Sequence, residues 1–142
     1  MPLGNWFKSP PFSLDANINA VVSDAKAAAE WYSDKFGLRV SELKDFSQGD
    51  WDDVALTMVC KFVDDEEYPG IYLMQLIPGK DDGQRLEGND LLYCTNLKDA
   101  AELLSSRGIS LGAVQEDGDG SRYFFIQDPD GNKLQILEES NP

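Results

Sequence analysis

The sequence predicts an α+β fold of two βαβββ modules, forming curved mixed sheets around a cleft with the helices on the outer face. Three observations predict it. Twice in the chain an apolar run leads into a helical stripe and then into further strands. Each helical stripe follows a Ser, Asp or Asn and stops at a glycine, the usual start and stop chemistry. The second pass closes on Arg122–Glu138, two strands around Asp128-Pro129-Asp130-Gly131-Asn132, where Pro fixes φ, Gly takes positive φ and Asp or Asn bonds its own backbone. With 142 residues and 42% hydrophobic content the chain suits one structural domain. Its expected layout is an N-terminal arm over 1–14, a first module over 15–78, a linker over 79–88 and a second module over 89–142.

In order, residues 1–14 combine Pro10 and Pro11 with Trp6, Phe7 and Phe12. The prolines oppose regular structure. The aromatics fit an arm packed on the body or on a partner subunit, and a disordered leader is the alternative. Asn17–Ser23 reads as a strand, with Ser23 or Asp24 as the cap of a helix whose apolar stripe is Ala25, Ala28, Ala29, Tyr32 and Phe36. Gly37 ends that helix. Leu38–Leu43, Val54–Val63 and Ile71–Ile77 read as strands, separated by a polar connection and the acidic turn Asp64–Gly70. Pro78–Gly88 has linker composition. Asn89–Thr95 is the next strand, Asn96 a cap, and Leu97, Ala100, Ala101 and Leu104 the second stripe, ended by Gly108. Ile109–Gln115 reads as a strand and Glu116–Gly120 as a turn into the closing hairpin.

Composition excludes several functions. With 12 Lys+Arg against 26 Asp+Glu, the net charge of −14 repels phosphates, so neither a nucleic acid nor a membrane is expected as a partner. The same charge attracts a cationic ligand. There is no histidine, which removes a Ser-His-Asp triad, a Cys-His dyad and the commonest transition-metal ligand. No stretch approaches the ~18 apolar residues of a membrane span, and no signal peptide is visible at the N-terminus. Cys60 and Cys94 lie in apolar runs and read as buried, reduced thiols of a cytoplasmic protein, with a disulfide as the alternative.

Two segments carry a family likeness: VVSDAKAAAEWYSDKFGL and YFFIQDPDGNKLQIL. Together with the repeated βαβββ order, the chain resembles the vicinal oxygen chelate superfamily over nearly all of residues 15–138. That superfamily includes glyoxalase I, extradiol dioxygenases and bleomycin resistance proteins. In its metal-dependent members four ligands point into the cleft, a residue opening each first strand, usually His, and a Glu in each last strand. The resemblance, counted from Asp24 and Asn96, carries the first pair onto Asn17 and Asn89. The ends of the last strands carry the second pair onto Gln75 and Gln135. All four are amides. Amide carbonyls are weak ligands for divalent transition metals, so no metal and no cofactor is expected, and metal-dependent glyoxalase or dioxygenase activity is disfavoured.

The amides remain hydrogen-bonding groups suited to a binding cleft. Strand alternation from these four would also turn Asn19, Val21, Leu73, Leu91, Tyr93, Lys133 and Leu137 inward, and Tyr72, Met74 and Leu76 toward the helices. Trp51, Phe46 and Phe62 are candidates for the mouth. The resemblance therefore implies a non-catalytic small-molecule binding protein, a homodimer that sequesters a cationic aromatic antibiotic. The ligand-binding candidates are Asn17, Asn19, Gln75, Asn89, Tyr93, Gln135, Trp51 and Phe46, with no catalytic residue. The alternatives are an enzyme with changed chemistry, using Glu138, Glu139, Asp128 or Tyr93 as acid or base, and an interaction protein with a vestigial cleft.

Overall fold

The computed structural model describes residues 12–42, 54–63, 65, 67–77, 79 and 85–139. The expected α+β architecture is present as two sheets with mixed strand directions and two helices. The first sheet has four strands: β2 (Ile18–Val22), β3 (Arg39–Glu42), β4 (Val54–Lys61) and β5 (Ile71–Leu76), in the order β2-β5-β4-β3. The second has five: β1 (Phe12–Ser13), β6 (Glu87–Cys94), β7 (Gln115–Glu116), β8 (Arg122–Gln127) and β9 (Lys133–Glu138), in the order β1-β6-β9-β8-β7. In each sheet the first strand of the module runs parallel to the last, and the remaining pairs are antiparallel.

Local chemistry explains the helices. The α1 helix spans Ala25–Phe36, and of the two candidate caps Asp24 takes the role, accepting the Ala27 N–H. Gly37 follows at φ 76 and returns its N–H to Ser33, a left-handed stop that a Cβ would strain. The α2 helix spans Leu97–Ser106 and is capped by Asn96 through the Asp99 N–H. The buried faces are Ala25, Ala28, Ala29, Tyr32 and Phe36 on α1 and Leu97, Ala100 and Leu104 on α2, the expected stripes apart from Ala101, which is half-buried. Both stripes meet one hydrophobic core that draws on both sheets and includes Phe12, which is 2% exposed.

Two expectations about strands are corrected. The predicted strand Ile109–Gln115 is ordered as a ladder only over Gln115–Glu116. Gly112 interrupts it: its N–H reaches the Phe125 carbonyl, and a Cβ there would lie 3.2 Å from that oxygen. The second correction concerns the faces of β5. Ile71 and Leu73 are fully buried against the helix side, so Tyr72, Met74 and Leu76 lie on the opposite face. Leu73 does not face the open side, because a one-residue slip inverts every side chain of a strand.

The modules are locked together by the turn at 128–132. Asp128, 6% exposed, accepts the Tyr32 hydroxyl at 2.7 Å and Asn132 Nδ2 at 2.9 Å on one oxygen, and the Asp130 and Asn132 N–H groups on the other. Asn132 donates to the Val21 carbonyl and accepts the Leu86 N–H, while Asp130 accepts the Ser23 N–H. Burial, followed by the Asp128 charge, pushes the Tyr32 phenol well above its ordinary range, so it stays a neutral donor.

Candidate functional site

The second sheet presents an open face away from its helix. There β9 carries Lys133, Gln135 and Leu137, all half-buried. The register sets Phe125 and Leu91 beside Gln135, and Tyr123 and Tyr93 beside Leu137. Tyr123 and Phe125 meet edge to face at 5.5 Å, and Lys133 Nζ stands 4.4 Å from the Phe125 centroid. A bulge in β6, between Glu87 opposite Lys133 and Leu91 opposite Gln135, places Gly88 at φ 105 beneath this cluster. A Cβ there would lie 2.9 Å from Phe125 Cε1, so the ring occupies the space a side chain would need.

At the seam between modules, Asp15–Ile18 and the β6 residues Asn89, Asp90, Leu91 and Tyr93 line a pocket of about 160 Å³. Tyr93 and Asp15 line it together. Burial pushes the Tyr93 phenol up, and the charge of Asp15 adds to it. Burial likewise raises Asp90. Desolvation opposes added negative charge in this pocket, while its two carboxylates make it hospitable to a cation.

The predicted residues separate into four groups. Asn17, Asn89 and Tyr93 come together at the seam pocket. Gln135 lies on the open face beside Leu91, and Asn19 is exposed on the corresponding face of β2 beside Tyr72. Gln75 is corrected: it turns to the helix side and accepts the Ala25 N–H at 2.9 Å, holding the first turn of α1. Trp51 and Phe46 lie outside the described residues.

Register explains the Gln75 correction. Val22 pairs with Gln75 and Cys94 with Glu138, and each of Val22 and Cys94 stands two residues before its helix cap. Gln75 therefore corresponds to Glu138, which accepts the Leu97 N–H at 2.7 Å. Three residues earlier, Tyr72 corresponds to Gln135. Tyr72, Asp15 and Asp90 were missed by sequence reasoning. The parity of Ile71, Leu73 and Gln75 on one face was the signal for Tyr72. The two aspartates gave no sequence signal, since acids are frequent in this chain.

The candidate acids and bases are already engaged. Asp128 holds four hydrogen bonds of the locking turn. Glu138 holds the start of α2 and pairs with Arg122 at 3.0 Å. The Leu97 N–H, and then Arg122, hold its carboxyl below the usual range against its partial burial. Glu139 accepts the Ser13 hydroxyl.

The family model for the Glyoxalase/Bleomycin resistance protein/Dioxygenase superfamily matches residues 16–136. The chain belongs to this superfamily. Solved structures with the same fold include a superfamily member from Sphaerobacter thermophilus, 18% identical, covering 87% of this chain and 95% of that one at a TM-score of 0.64. Another is TnmS3, an antibiotic binding protein from Streptomyces, 17% identical, covering 87% and 93% at a TM-score of 0.64. TioX from Micromonospora is 12% identical, covering 88% and 98% at a TM-score of 0.58. No curated protein matches the sequence.

For a member of this superfamily the metal question is decided by donors. The positions corresponding to the ligand set, with the register applied, are Asn17, Tyr72, Asn89 and Gln135. Three are neutral amides and one is a phenol, and the Asn17 carbonyl already accepts the Gly70 N–H at 2.9 Å. These residues do not fit a divalent transition metal. Among the described residues no three His, Cys, Asp or Glu side chains converge to hold one elsewhere.

Proposed function

We propose that this superfamily member is a non-catalytic binding protein that sequesters a cationic aromatic small molecule of the antibiotic type. The observation that carries the reading is the seam pocket, where Asn17, Asn89 and Tyr93 converge with Asp15 and Asp90. About 160 Å³ suits a cationic head group, not a whole drug-sized ligand. The ligand's rings would lie on the adjoining open face against Leu91, Gln135 and Tyr123. The net charge of −14 favours encounter with a cation. The resemblance to TnmS3 supports an antibiotic as the ligand class.

The reading includes a homodimer and a cytoplasmic location. Among the described residues the β3 strand has no strand partner on one edge, and Val40 on it is 40% exposed. Cys60 and Cys94 are both free and buried, in keeping with a reducing compartment. Among the described residues no helix is long and apolar enough to cross a membrane.

The test is calorimetric titration of the untagged protein with metal-free bleomycin and a panel of cationic planar antibiotics. Saturable binding that weakens at least tenfold in Asn17→Ala and Asp90→Asn is expected. No heat and no change in melting temperature with any of them would overturn the ligand class. Sedimentation at micromolar concentration reads the dimer directly.

A further inference from the structure

We propose that the chain carries a second binding site, distinct from the seam, for a small planar anion such as an aromatic carboxylate. The site is the cleft of about 710 Å³ at the outer edge of β8, walled by α1 on one side and by the 108–112 segment on the other. Its volume lies within the range of small-molecule sites, roughly 300–1,000 Å³.

The cleft exists because β7 stops short. Among the described residues it pairs with β8 only at Arg122 and Tyr123, and beyond it the Gly112 N–H reaches across to the Phe125 carbonyl. Past that contact the edge of β8 opens toward Trp31 and Lys35, one helical turn apart on α1 and therefore on one face. Trp31 is half-buried: it packs edge to face on Tyr32 at 4.9 Å, and its remaining surface lines the cleft. It gives a flat ligand a rigid apolar wall.

Charge selects the ligand. The lining holds two cations, Lys35 and Lys133, and one carboxylate, Asp128. Asp128 is fully occupied by the locking turn, with four internal hydrogen bonds. Lys35 is partly spent, donating to the Arg107 carbonyl and lying 3.3 Å from Asp34. Lys133 rests over Phe125, and among the described residues no carboxylate pairs with it. In a chain of net charge −14 a lining with two lysines and one carboxylate departs from the overall balance, with Asp34 offsetting Lys35 and leaving Lys133 as the cation that a ligand meets. Other charges beyond the Debye length, about 8 Å at physiological salt, are largely screened, whereas a carboxylate in contact with Lys133 is not. Gln127 and Ser110 add neutral donors at the rim. A neutral ring of the same shape would gain the Trp31 wall without the charge, and a cationic ring would gain the wall against repulsion from the lysines.

The experiment titrates wild-type protein with 1-naphthoate, its neutral isostere 1-naphthamide and 1-naphthylmethylammonium at low salt. Naphthoate is expected to bind at least tenfold tighter than naphthamide, with a margin that falls as salt rises. Lys133→Gln should erase most of that margin, and Lys35→Gln with Lys133→Gln the rest, with unchanged melting temperature reporting an intact fold. Asp90→Asn, at the seam, should leave naphthoate binding as it was. Absence of naphthoate binding, equal affinity for the acid and the amide, or a margin that survives the double substitution would each overturn the proposal. Tighter binding of the ammonium, sensitive to Asp90→Asn, would do the same by assigning the aromatic site to the seam alone.

Discussion

The two modules repeat one plan and spend it differently. In both, the residue paired across from the end of the first strand reaches the first N–H of the following helix. In the first module it is neutral Gln75 on Ala25, and in the second it is Glu138 on Leu97, reinforced by Arg122. In both, a turn leads into the last strand. In the first module that turn is local, with the exposed Asp65 side chain accepting the Glu67 N–H and its carbonyl accepting the Tyr68 N–H. In the second it is buried and binds the other module through Tyr32, Val21 and Ser23. A common fold thus fixes where a polar group is needed and leaves open both its charge and how far it reaches.

The largest effect should come from breaking that asymmetry. Asp128→Ala strands the Tyr32 hydroxyl in the core, takes one bond from the Asn132 amide and is expected to cost about 4 kcal/mol. Asp65→Ala, at the turn of the first module, should stay within about 0.5 kcal/mol. Denaturant melts of the pair decide it, and similar losses would mean that the second turn locks nothing.

The register that equates Gln75 with Glu138 can be tested next. Leu73→Ala on the helix side is expected to cost about 3 kcal/mol. Its neighbour Met74→Ala, on the open face, should cost about 1 kcal/mol. The reverse order would restore the inward-facing Leu73 and Gln75.

The helix starts sharpen the comparison through pH. Gln75→Ala and Glu138→Ala should each cost about 1 kcal/mol at pH 7. Only the second loss should depend on acid. The folded Glu138 carboxyl lies below the ordinary value of a free glutamate. Its contribution is therefore complete above that value and disappears as pH falls through the lower folded one. The Gln75 contribution has no titrating group and should stay flat. Parallel pH profiles for the two variants would refute the charged role of Glu138.

The smallest effect concerns the seam. Burial raises the Asp90 pKa in the folded protein, so ionised Asp90 opposes folding at neutral pH, and that opposition is gone once pH drops below its unfolded value. Asp90→Asn should raise the melting temperature slightly at pH 7 and not at pH 3. A lower melting temperature at pH 7 would show that the carboxylate is already compensated by a partner.

These contrasts show what the sequence could convey. Elements were legible because periodicity, caps and glycine stops are local: Asp24, Asn96 and Gly37 act as expected. Asn17 and Asn89, each counted from a cap a few residues away, line one pocket. Gln75 failed because nothing local marks where a last strand begins. Its register is set by β2, far away in sequence, and an error in it exchanges the faces. The large cleft was invisible for the same reason. It is a gap left where the β7 ladder stops, and absent pairing writes no pattern into a chain.

The locking turn also has a consequence in time. Its hydrogen bonds join residues 96, 107 and 111 positions apart, from Tyr32 to Asp128, Ser23 to Asp130 and Val21 to Asn132. Contacts of such separation close late, because the chain must lose the entropy of a long loop before they form. The first βαβββ unit, although synthesised first, leaves the Tyr32 hydroxyl without its acceptor until the last hairpin arrives. The first unit therefore waits on the hairpin at 122–138, and the arrival of that hairpin, not the completion of the first half, sets when the turn can lock.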